Sequence, residues 1–182
     1  MKPPALKFDD AFTSREYRFS LGCETSSNRR YLSIPVSNGQ VDYEEYYAIE
    51  DDRFEAWLRE PSAALPMVIR CRRRGMDPAL MVQPGANRGS ADGRLSLAEI
   101  GVVLGRIAEL LRDGERSGWA DAIERCRARL SGDSEQLRDG IRGMFGGMGS
   151  ISDQVLYRDG GLLVEATDEL HELLGWVYEW GG

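Results

Sequence analysis

An Asn-Gly pair set between two alternating runs constrains this chain more than any other feature. Tyr31 to Val36 places Leu32, Ile34 and Val36 on one side, Ser37-Asn38-Gly39 follows, and Gln40 to Ile49 returns. Apolar residues two apart have the period of a half-buried strand, and Asn and Gly accept the positive φ that a tight hairpin turn demands. Arg15 to Leu21 alternates too, with Tyr17, Phe19 and Leu21 against Glu16, Arg18 and Ser20, so the pattern predicts an antiparallel meander of three strands. The third strand carries a conflict. Its apolar side reads Val41, Tyr43, Tyr47 and Ile49, and strict alternation puts Glu45 there as well. A carboxylate on a core face requires either a bulge near Glu44-Glu45 or an arginine partner.

Helical spacing takes over after the meander. Asp51 and Asp52 sit where a helix N-terminus favours negative charge, and Phe54, Trp57 and Leu58 follow until Glu60-Pro61. Ser62 is the expected cap of a second helix with the stripe Leu65, Val68 and Ile69, ending at Gly75, and Ala79 to Val82 reads as a short strand. Gln83 to Arg94 is rich in Gly, Pro, Asn and Asp and marks the expected boundary between a 1–94 half and a 95–182 half. Ser96-Leu-Ala-Glu99 is a capping box, opening a helix whose stripe is Ile100, Val103, Leu104, Ile107, Leu110 and Leu111. Two further stripes follow, Trp119 to Leu130 and Leu137 to Phe145. Gln154 to Tyr157 and Leu162 to Glu165 flank the turn Arg158-Asp-Gly-Gly161 as a hairpin. Thr167 is the expected cap of a last helix that faces Leu170, Leu173, Leu174 and Val177 inward, flanked by Trp176 and Trp180. The fold class expected is α+β: a meander with helices, then a mainly helical half with a short hairpin.

Composition narrows the function. Net charge is −7, unevenly placed: residues 1–94 hold 14 Lys or Arg and 14 Asp or Glu, while residues 95–182 hold 9 against 16. An acidic chain is poorly suited to the phosphate backbone, so no nucleic-acid partner is expected. No stretch approaches the roughly 20 apolar residues of a membrane-spanning helix, so no membrane partner is expected either. The start MKPPALKFDDAF lacks an apolar leader core, which makes the cytoplasm the default. Cys23, Cys71 and Cys126 lie far apart, suiting free buried thiols better than a disulfide framework or a zinc site. The cluster Arg70, Arg72, Arg73 and Arg74 falls at a helix C-terminus, where it complements the dipole. Were it opposite an acidic strip, self-association would be an option.

Little reads as catalytic. His171 is the only histidine, which excludes sites that need two imidazoles, and a helix-surface role is the simpler reading. Gly143 to Ser150 invites a phosphate-loop reading, yet GxxxxGK[ST] and GxSxG are absent and no lysine follows Lys7. A tight helix-to-strand connection with positive φ fits this run better, and Gly146, Gly147, Gly149, Ser150 and Asp153 are kept as a possible ligand turn. Glu115-Arg116 ahead of Trp119, with Gly146 to Leu156 (GGMGSISDQVL), resembles a family of small uncharacterised bacterial proteins with a GGMGS-x-x-D-x-V-L signature. The resemblance spans residues 96–157. It implies a bacterial cytosolic origin and a helical C-terminal half, brings no established function, so that a link to toxin immunity is an expectation only, and transfers no catalytic residue.

The remaining signal is Asp42 to Asp52, with six acids and three tyrosines in eleven positions. Tyrosine supplies contact area at low entropic cost, and clustered carboxylates steer a basic partner. Tyr43, Glu44, Glu45, Tyr46, Tyr47, Asp51 and Asp52 are the expected partner-binding residues, set on an outward-facing strand. A solvated edge strand has the same composition. The expected function is a non-enzymatic bacterial protein-binding protein, most concretely an immunity protein neutralising a basic toxin domain, with no catalytic residue, cofactor or metal. Two alternatives stand beside it: a small-ligand-binding protein or enzyme using the Gly146 to Asp153 turn, and a regulatory or chaperone-like binding domain.

Overall fold

A computed structural model describes residues 6–132 and 134–182, and the chain divides into two compact units, residues 1–93 and 94–182. Residues 1–5 of the segment read for a leader lie outside the described residues. The first unit is built on four antiparallel strands in sequence order, β1 (Phe8–Ser14), β2 (Phe19–Glu24), β3 (Arg29–Ser37) and β4 (Asp42–Ala48). The expected first strand is corrected here. Residues 15–18 form the β1–β2 turn, where Tyr17 N donates to Ser14 Oγ at 3.1 Å and Arg18 takes φ 49°. Phe8 and Phe12, four apart, would share a face of a regular strand. The register shift between Asp10 and Phe12 sends them to opposite faces, which hides β1 from a period-two reading.

One sheet face carries Phe19, Leu21, Leu32, Ile34, Val36 and Tyr47, all buried, and packs on α1 (Asp51–Arg59) and α2 (Leu65–Arg72). Each such aliphatic side chain contributes roughly 1.5–3 kcal/mol by leaving water. The other face carries Phe8, Tyr31 and Tyr46. Here β1 and β4 are the two edges, about 14 Å apart in a flat sheet with strands roughly 4.8 Å apart, yet Phe8 and Tyr46 stack with centroids 3.6 Å apart. The sheet is therefore strongly curled, with the three rings on its concave side. Gly22 lets it curl, because a Cβ there would stand 2.2 Å from Asp9 O and 2.3 Å from the Tyr31 hydroxyl.

Two local expectations in this unit are revised. Ser62 does not cap α2; it lies in a 3-10 helix, Pro61–Ala64, and its hydroxyl donates to the Glu60 carboxylate. The strand expected at 79–82 reduces to one bridge, Tyr47 to Leu80, with Met81 N donating to Tyr46 O at 2.8 Å. Ser90 and Ser37 exchange backbone hydrogen bonds of 3.1 and 2.9 Å, which ties the Gly-rich segment to the end of β3. At the β2–β3 turn Glu24 accepts from the Ser27 hydroxyl and from the amides of Ser26, Ser27 and Lys7. Those donors, Ser27 first, outweigh burial and pull its pKa from 4.5 to about 2.

The second unit starts with α3 (Leu97–Asp113), whose capping box is present in both directions, Glu99 N to Ser96 Oγ at 3.2 Å and Ser96 N to Glu99 Oε2 at 2.8 Å. α4 (Ser117–Arg127), α5 (Ser134–Arg142) and α6 (Val164–Gly181) complete it, with α3 against α4 and α6 and a core of Leu104, Ile107, Ile123, Ile141, Leu170 and Leu173. The hairpin has two-residue strands, β5 (Tyr157–Arg158) and β6 (Gly161–Leu162), joined through Asp159 and Gly160 at positive φ. α6 begins at Val164, so Glu165 is helical and Thr167 is not a cap. Thr167 Oγ1 lies in the first turn, donating to Leu163 O at 2.8 Å and accepting from Leu156 N at 3.1 Å. Trp176 is buried with the leucines, while Trp180 is partly exposed and donates Nε1 to Leu95 O.

The molecule is α+β, as the patterning predicts. Its three cysteines are free, with Cys71 and Cys126 buried. No helix among the described residues is long and apolar enough to cross a membrane.

Candidate functional site

The acidic tyrosine strip forms β4 and the start of α1, and the pleat divides it. Glu45 and Tyr47 face the helices and are buried, at 6% and 0% exposure. The outward ribbon expected of all seven residues is corrected at these two. Tyr43 is half-buried and its hydroxyl accepts from Gly89 N at 2.8 Å. Tyr46 is half-buried on the concave face, stacked on Phe8 and edge-on to Tyr31 at 5.1 Å. Glu44, Asp51 and Asp52 are exposed. Asp51 accepts from Arg30 Nε at 3.1 Å with its side chain 85% exposed, a surface pair of little energetic weight.

The conflict at Glu45 is resolved by the arginine partner, with the β3–β4 register running unbroken past it. Arg88 Nε and NH2 donate to the two Glu45 oxygens at 2.7 Å each, and NH1 and NH2 donate to Asp77 at 2.6 and 2.9 Å. Tyr47 OH adds a bond to Glu45 Oε2 at 2.8 Å. Burial pushes the Glu45 pKa up, but the hydrogen bonds from Arg88 and Tyr47 and the Arg88 charge hold it below the usual range. Hydrogen bonding to Arg88 lowers Asp77 as well. All three charges are paired within the unit, so the network anchors the 77–90 segment to the sheet. Arg88 lies 43 residues from Glu45, which is why spacing could announce the need for a partner without naming it.

A second carboxylate group occupies the concave face. Tyr31 OH donates to Asp10 Oδ1 at 2.5 Å, and burial together with that bond raises the Tyr31 pKa. Glu44 is raised by crowding against the sheet, with the Ser33 hydroxyl opposing and the Asp10 charge adding to the rise. Phe8 and Asp10 belong to this surface and escaped the sequence reading because β1 did, while Tyr31 falls on the face of β3 opposite the stripe Leu32, Ile34 and Val36. No group of three or more His, Cys, Asp or Glu able to hold a metal ion occurs among the described residues.

In the second unit the Gly-Met-Gly turn takes positive φ at Gly147 and Gly149, 87° and 77°. Its polar groups serve the turn itself. Gly149 N donates to Asp153 Oδ2 at 2.9 Å, Ser150 and Ser152 hydroxyls share a 2.7 Å bond, and Gln154 Nε2 donates to Ser150 O at 2.9 Å. A carboxylate on the Gly149 amide repels an anion where a phosphate cradle would hold one. Gly146 and Gly147 are exposed and Ser150 is buried, while Met148 stands fully in solvent. Beside the turn lies an open cleft of about 380 Å³, lined by Phe145, Ser152, His171, Leu174, Gly175 and Tyr178. None of the five expected turn residues lines it.

These features define an α+β chain with a curled sheet unit followed by a helical unit. Residues 112–176 match the model of a domain of unknown function (DUF6966), which runs from the end of α3 through the turn to Trp176 and leaves the sheet unit outside. No curated protein and no solved structure matches the chain.

Proposed function

We propose that this protein acts by binding another protein, most concretely as an immunity protein that covers the active surface of a basic toxin domain. The observation that carries the reading is that three carboxylates of the strip are exposed, Glu44 within β4 and Asp51 and Asp52 at the start of α1, with Tyr43 and Tyr46 half-exposed in the same strand. Glu45 and Tyr47 belong to the core and leave the contact surface. Charges on a rim steer encounter more than they hold a complex, so partner binding through this set speeds association and weakens it as salt rises. The chain's net charge of −7 favours a basic partner in the same sense.

The test is a pull-down from the native host at low and high salt with wild type and with Glu44→Lys/Asp51→Lys/Asp52→Lys. The reading expects a basic protein recovered at low salt, less of it at high salt, and loss in the triple variant. Equal recovery by both proteins removes the carboxylate set from the account. A toxin gene directly upstream separates immunity from a regulatory or chaperone-like role.

A further inference from the structure

We propose that the cleft beside the Gly-Met-Gly turn binds a flat aromatic ring bearing an N–H donor, of which indole is the simplest. Its volume, about 380 Å³, lies at the lower end of small-molecule sites, which run roughly 300–1,000 Å³. Gly175 is the first indication. It sits in the interior of α6, where glycine is unfavourable relative to alanine, and among the described residues nothing beyond its chain neighbours and its own helix backbone lies within 4 Å of the place a Cβ would take. Packing does not ask for a glycine there. A bare stretch of helix backbone on a cleft wall instead admits a flat group at close range. Phe145 and Tyr178 supply the second wall, with ring centroids 5.2 Å apart and planes at 58°, a corner that offers a bound ring both stacking and edge contacts.

Polarity comes from one edge. His171 Nε2 lies 2.9 Å from Gln154 O, and a carbonyl only accepts, so Nε2 carries the proton. In the neutral ring Nδ1 is then an acceptor. The Ser152 hydroxyl stands on the same cleft, bonded to Ser150. An acceptor beside an aromatic corner selects a ring with a donor on its rim.

The test titrates the full chain, labelled with 15N, with indole, 1-methylindole and N-acetyltryptophanamide, following amide and imidazole signals. Indole is expected to produce saturable shifts centred on Phe145, His171 and Gly175. 1-Methylindole, lacking the donor, should bind roughly 3- to 10-fold more weakly, the worth of one ordinary hydrogen bond. Gly175→Leu fills the cleft and should abolish the shifts while the melting temperature holds or rises. Binding of N-acetyltryptophanamide as tight as indole assigns the site to a tryptophan side chain of a polypeptide; binding of indole alone assigns it to a free aromatic molecule. The absence of saturable shifts with every probe, undiminished binding in Gly175→Leu, or equal affinity for indole and 1-methylindole overturns the proposal.

Discussion

The β4 strip and the Gly-Met-Gly turn are opposites in sequence and trade places in the structure. The strip is crowded with large polar side chains, and two of the most informative, Glu45 and Tyr47, are spent inside on Arg88 and the helix-facing core. The turn has almost no side chains to offer, yet it borders an open cleft lined by Phe145 and Ser152 on either side of it and by four residues of α6. Chemical richness in a segment does not predict what reaches solvent; the strand pleat and partners far along the chain decide that.

The contrast breaks most readily at Arg88. Arg88→Met leaves the buried Glu45 without its counter-charge and should cost about 3–5 kcal/mol in urea denaturation, whereas Glu45→Met/Arg88→Met together should recover most of the loss. A single-variant cost below about 1 kcal/mol would mean that Glu45 faces water after all. The pH dependence has a definite sign. Glu45 and Asp77 titrate below their ordinary 4.5 and 3.8 in the folded chain, so their stabilisation is complete above about pH 4.5 and is lost as pH falls through the lowered values. The gap between wild type and Arg88→Met should therefore narrow in acid. Glu24, held to about 2, gives up its contribution progressively as the pH falls from about 4.5 to about 2, and Glu24→Gln should remove that part of the acid transition.

Smaller effects sharpen the picture. Gly22→Ala forces a methyl against Asp9 O and the Tyr31 hydroxyl and should cost about 1–3 kcal/mol by thermal melting. A neutral result would contradict the curled sheet. Ser96→Ala removes the α3 cap and should cost about 1 kcal/mol. Asp51→Asn, at an exposed pair, should change stability by less than about 1 kcal/mol.

Much of the fold was legible because it rests on local signals. The Asn38-Gly39 hairpin, the Ser96 capping box and the stripe of α3 all follow from neighbours within a turn or a strand, and all are present. β1 was hidden by its register shift, and the Thr167 cap failed because the helix begins three residues earlier, at Val164. The candidate site was legible only in part. Glu45's need for an arginine was visible, but Arg88 itself, the Phe8–Tyr46 stack and the cleft around Gly175 each depend on residues roughly 25 to 45 positions apart meeting in space. Periodicity carries no information over such distances.

The central claim is the proposal that the exposed carboxylates Glu44 of β4 and Asp51 and Asp52 of α1 guide a basic protein partner. The most direct measurement is the association rate of the captured partner across ionic strength, for wild type and for Glu44→Lys/Asp51→Lys/Asp52→Lys. The account predicts a wild-type rate that falls as salt rises and a triple-variant rate that is slower at low salt and nearly flat. Identical rates and salt slopes for the two proteins would contradict it.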